Sequence, residues 1–227
     1  MDAIPQASLF LGIIPALALL YISLKGYEGY YKDKYIFLTF VLGLIIGFFS
    51  AIARLLINPL PGLIIFIILF SIFEQLFKTI FLNYKKLQDS KVLIIYGLSL
   101  GLGFGSVFTP FLILAGSSII GNDLYILSLI TIGSFGIILF HGATGALIGY
   151  GIHSGKLIKY LLIAILIEIP FNFIIDIARF YQNEYFILIQ FCIIIYGGIV
   201  FIYVLRKIMP KILSKSQKRK RSKKLTS

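Results

Sequence analysis

At 59% hydrophobic and 13% charged residues, with a mean hydropathy of +0.99, this 227-residue chain is too apolar for a soluble globular domain. The net charge of +12 lies between and after the apolar stretches, so it reads as membrane topology and not as nucleic-acid binding. The lone Cys192 excludes an internal disulfide and a thiolate metal site, and in its apolar surroundings it reads as a buried small hydrophobe.

Seven stretches reach the roughly 20 residues that a helix needs to cross the hydrocarbon, near 7–24, 35–56, 61–84, 92–115, 124–152, 157–178 and 185–207. The first lacks the basic flank and small-residue cleavage site of a signal peptide and is expected to remain a membrane helix. The third places Glu74 inside the run Phe66–Phe81, with Gln75 beside it and Lys78 one turn further on. The fourth carries Gly97, Gly101 and Gly105 on one stripe, followed by Pro110, and the fifth carries His141, Gly145 and Gly149. Such stripes of small residues let helices approach closely. On the sixth, Glu168, Asn172 and Asp176 stand at i, i+4 and i+8, a polar stripe that lipid would reject. Pro170 within it is expected to kink the helix and free a carbonyl. Asp176 is expected to pair with Arg179, and His153 reads as an ordinary loop residue. The predicted fold is an all-α, polytopic transmembrane bundle of about seven helices. Residues 1–209 form one domain, and 210–227 form a basic, disordered tail.

Orientation follows from lysine and arginine. Eighteen of them, from Lys25 to Lys224, fall on the side that holds the C-terminus, against Arg54 and Arg179 on the other. The positive-inside rule then puts the tail in the cytoplasm and the N-terminus outside, in an integral, multi-pass membrane protein. The tail also suits anionic lipid, at about 1 kcal/mol per charge.

Glu74, His141 and Glu168 lie at similar positions along their spans, each about 16 Å from the cytoplasmic edge at 1.5 Å per residue. An ionised group in hydrocarbon costs several kcal/mol, so charges at this depth usually line a site or a pathway. An i, i+4 ion pair between Glu74 and Lys78 is the structural explanation of the same residues. Two carboxylates, an imidazole and the Asn172 amide could hold a polarised water or a metal. Zinc and other divalent ions take such ligands, and a glutamate beside them can act as general base. No HExxH signature is present.

Phe73-Glu-Gln-Leu-Phe-Lys78 resembles the Glu-Glu-x-x-Lys motif of PrsW-type intramembrane proteases, in the wider CAAX-protease and bacteriocin-processing superfamily. Leu100–Phe108, His141–Gly151 and Glu168-Ile-Pro-Phe-Asn172 resemble that family's second, third and fourth motifs, in the family's order. The resemblance implies a helical membrane protease that cleaves a membrane protein or peptide. Glu74 would activate water, His141, Glu168 and Asn172 would bind a divalent metal such as zinc or the oxyanion, and Gln75 and Lys78 would support them. The chain departs from the pattern at Gln75, where a second glutamate is usual, at Phe108, where the family has an acid, and at Glu168, where it has histidine. An inactive relative, or a proton- or ion-coupled carrier using the same acids, is the alternative. The inverted repeat of many carriers is not apparent.

Overall fold

The computed structural model describes residues 4–56, 63–88, 92–111, 113, 124–180 and 185–213, so most of the expected tail lies outside it. The described residues form helices and turns without a strand. The helices are α1 (Ile4–Leu24), α2 (Asp33–Leu56), α3 (Leu63–Leu82), α4 (Leu93–Ser106), α5 (Leu124–His153), α6 (Leu157–Phe180) and α7 (Phe186–Tyr203). A single helical turn, Lys85–Gln88, precedes α4. A π-helical turn, Val204–Ile208, and a 3-10 turn, Met209–Ile212, extend α7. Six helices are long and apolar enough to cross a membrane; the apolar stretch described in α1, Phe10–Leu24, is shorter. The chain is an all-α, multi-pass membrane protein.

α4 is the axis of the bundle. Its apolar window is 100% buried, whereas that of α6 is 22% buried and that of α7 33%. The glycine stripes explain how α4 is enclosed. A Cβ on Gly97 would stand 2.2 Å from the carbonyl oxygen of Gly145 in α5, and one on Gly101 2.0 Å from that of His141. On the opposite flank, a Cβ on Gly43 of α2 would meet the Leu100 oxygen at 2.1 Å. Hydrocarbon gives apolar helices no reason to associate, so backbone-to-backbone van der Waals contact supplies the attraction. Gly136 of α5 and Gly197 of α7 repeat the arrangement.

α3 is attached differently. It contains no glycine, and its outward face, including Ile64, Ile65, Leu69 and Ile80, is exposed in the manner of a lipid-facing surface. Its inward face carries Ser71, Glu74, Gln75, Lys78 and Thr79, all buried. α6 continues through Pro170, and the Tyr196 hydroxyl donates to the Ile167 carbonyl at 2.9 Å in the turn before it.

Cys192 corrects one expectation: it is exposed, on the same side of α7 as Leu188, Ile195 and Ile199. α7 is almost wholly apolar, but its Gln190 is buried, and Cys192, two residues on, lies about 200° round the helix from it.

Candidate functional site

Four helices send polar side chains to one interior region. α3 supplies Ser71, Glu74, Gln75 and Lys78, whose spacing keeps them on one face of the helix. The α6 stripe of Glu168, Asn172 and Asp176 faces inward and is buried, as lipid exclusion requires. α5 adds His141 and Thr144, and α2 adds Ser50 and Arg54.

Each carboxylate at the centre has one anchored oxygen. Ser50 Oγ donates to Glu74 Oε1 at 2.5 Å, and Arg54 Nε stands 3.6 Å from the same oxygen. Gln75 Nε2 donates to Glu168 Oε2. The other oxygens, Glu74 Oε2 and Glu168 Oε1, are buried without a hydrogen-bond donor. Glu74, His141 and Glu168 each bring a ligand-type atom within 4.8 Å of the others, so this group could hold a metal ion.

Lys78 lies at the middle of the cluster. Its ammonium is 2.8 Å from His141 Nδ1, 3.2 Å from Thr144 Oγ1 and 3.9 Å from Glu168 Oε1. With Lys78 as an ammonium, which has only donors, Nδ1 accepts from it and a neutral ring would carry its proton on Nε2. The Phe104 ring lies 4.5 Å from the ammonium. Lys78 thus serves α5 and α6, and the alternative explanation, an i, i+4 ion pair with Glu74, is not the contact it makes. Glu74 is matched by Arg54 instead.

Asn172 donates from Nδ2 to Ser71 Oγ at 3.0 Å, one turn away from Glu168. Glu74 joins the expected ligands His141 and Glu168 in the group that could hold a metal. Asp176 pairs with Arg54, Nη1 to Oδ1 at 3.3 Å, where a contact with Arg179 was expected; the Arg179 side chain lies outside the described residues. Arg54 also stacks over the Phe70 ring at 4.4 Å. Phe108, at the position where an acid was expected, lies in the site and stacks on the His141 ring, with centroids 5.6 Å apart and planes at 20°. His153 ends α5 in an exposed position.

Sequence reasoning overlooked Ser50 and Arg54 on α2. The available signals were their i, i+4 spacing and the number of interior acids. Three carboxylates, Glu74, Glu168 and Asp176, with Lys78 alone would have left the interior short of cations.

The metal can be tested against this geometry. Nδ1 and Oε1 are 3.7 Å apart, so an ion bound to both would lie within about 4 Å of the Lys78 ammonium, with ordinary ligand distances of about 2 Å. Two positive charges that close repel by roughly 4 kcal/mol per unit of charge on the ion at an effective dielectric of 20. The residues fit a divalent ion on Nδ1 only when Lys78 is neutral or turned away.

No family model matches this chain, nor does any curated protein or solved structure.

Proposed function

We propose that the protein is an intramembrane hydrolase of the PrsW type, cleaving a peptide bond within or beside a membrane span. The observation that carries this reading is the pair of half-anchored carboxylates. Glu74 and Glu168 each accept a hydrogen bond at one oxygen and none at the other, with a ring nitrogen of His141 within 4.8 Å of both carboxylates. A water there has two acceptors for its protons, and Lys78 offers a positive charge for an oxyanion.

In the reaction so supported, the water oxygen attacks the carbonyl carbon as Glu74 Oε2 takes a proton. The tetrahedral oxygen gains negative charge beside the Lys78 ammonium. The C–N bond then breaks, and the nitrogen leaves with the proton that Glu74 took up. Arg54 and Ser50 orient Glu74, and Gln75 orients Glu168. No step passes through a metal, because Lys78 holds the cationic position.

A second reading, a proton- or ion-coupled carrier, is favoured by the charge balance. Three buried carboxylates against Arg54 and Lys78 leave one uncompensated negative charge when all are ionised. The two readings separate in liposomes. Wild-type protein should cleave a membrane-spanning peptide, read by mass spectrometry, and Glu74→Gln should abolish cleavage without loss of folded protein. Absence of cleavage, with proton or cation flux that Glu74→Gln stops, would establish the carrier. Absence of both would leave an inactive relative.

A further inference from the structure

The contact between α3 and α6 is a ladder. Ser71 faces Asn172 on one rung and Gln75 faces Glu168 on the next. The rungs are one helical turn apart, about 6 Å at 1.5 Å per residue. Each rung uses the amide nitrogen and leaves the amide oxygen, Asn172 Oδ1 or Gln75 Oε1, buried without a donor. Glu74 Oε2 and Glu168 Oε1 are in the same condition. Leaving a buried acceptor unmade costs about 1–3 kcal/mol, and native proteins seldom do so. A proton on either acid can serve both carboxyl oxygens, but an amide oxygen only accepts, so what Gln75 Oε1 and Asn172 Oδ1 lack is a donor.

An extended polypeptide presents such donors. Its backbone N–H groups point to one side at i and i+2, roughly 6.6–6.8 Å apart, close to the rung spacing. α3 is also the helix that faces α6 with this ladder and brings no glycine to its contacts. Glycine-mediated contacts lock α2, α4, α5 and α7 together, whereas α3 joins the bundle through buried Ile67, Phe70 and Leu82 and through polar groups, and the polar part is what a peptide backbone can replace.

We propose that the α3–α6 seam binds an extended segment of a membrane-embedded polypeptide, with alternate backbone N–H groups donating to Gln75 Oε1 and Asn172 Oδ1. The proposal rests on the hydrolase reading for the fate of that segment, and on the ladder alone for its binding. Unwinding a substrate helix frees the N–H groups that the seam accepts, which also exposes the bond to attack.

The test uses full-length protein in lipid nanodiscs and a fluorescent, leucine-rich membrane-spanning peptide with a central Gly-Ser-Gly-Ser segment. Each central amide is N-methylated in turn. Binding is read by anisotropy, and cleavage separately by mass spectrometry. Two methylations, two residues apart, should each weaken binding roughly tenfold, the worth of one hydrogen bond, and the one between them should have no effect. Gln75→Met should remove the sensitivity at one of these positions and Asn172→Leu at the other, so the loss of either variant to misfolding leaves a test standing. Equal binding of all peptides, or none, overturns the proposal. Patterned binding without cleavage upholds the seam and removes the hydrolase; cleavage without the pattern does the reverse.

Discussion

Glu74, His141 and Glu168 were legible as single residues because hydrocarbon makes any polar side chain an anomaly that needs a reason. Arg54 was not legible on the same grounds. Two residues from the end of its helix, a cation reads as a loop charge or one that snorkels to the interface. The structure instead buries it between Glu74 and Asp176. Removing one partner from a buried ion cluster leaves charge uncompensated, at a cost of about 3–5 kcal/mol. Arg54→Met should therefore lower the thermal unfolding midpoint in detergent markedly, whereas Asp33→Asn, in the first turn of α2, should barely change it. Lys78 gives a second expectation. If its ammonium keeps divalent ions away from His141, Lys78→Met should increase the zinc retained by purified protein, measured by elemental analysis. His141→Ala in that background should release it. Zinc retention equal to wild type in Lys78→Met would show that the ammonium is not the obstacle.

Among the elements, the helical spans were readable from length and hydropathy, and the α6 stripe from its spacing of four. The lipid-facing side of α7 was missed because the helix is almost wholly apolar; buried Gln190, on the side opposite Cys192, was the available signal. The glycine stripes were visible in sequence, but their partners were not, because close approach depends on which backbone lies opposite. Gly101 and Gly198 separate the two situations. A side chain at Gly101 would run into the His141 carbonyl, whereas nothing lies within 4 Å of a Cβ at Gly198. Gly101→Val should part α4 from α5, lower stability by several kcal/mol and displace His141. Gly198→Ala should be neutral, or stabilising by up to roughly 1 kcal/mol through helix propensity alone. Thermal unfolding of both variants in the same detergent checks the contrast.

For the molecule as a whole, the basic residues divide by end. The α1–α2 loop meets the start of α4, where the Lys32 amide donates to the Tyr96 hydroxyl at 3.3 Å. The segment after α7 meets the end of α5, where the Lys211 ammonium lies 4.2 Å from the Tyr150 ring. With Arg54 withdrawn into the interior, Arg179 is the remaining counterweight in the sequence count, which sharpens the asymmetry. A reporter active only in the cytoplasm, fused after Ser227, should therefore be active. Silence from a stably expressed fusion would reverse the orientation.

The enclosure of α4 also bears on how the chain is made. The least hydropathic of the six spans, at 1.5, is the one that protein surrounds along its length. During synthesis α4 leaves the ribosome before α5, which later covers its Gly97 and Gly101 side. At that moment only the earlier helices exist to receive it, and Gly43 and Gly47 of α2 already offer a matching surface. α2 thus offers α4 a fitting protein surface before its sheath is made. If that early contact keeps α4 in the bilayer, moving α2 behind α5 in the gene should lower the yield of membrane-inserted protein even with every final contact preserved.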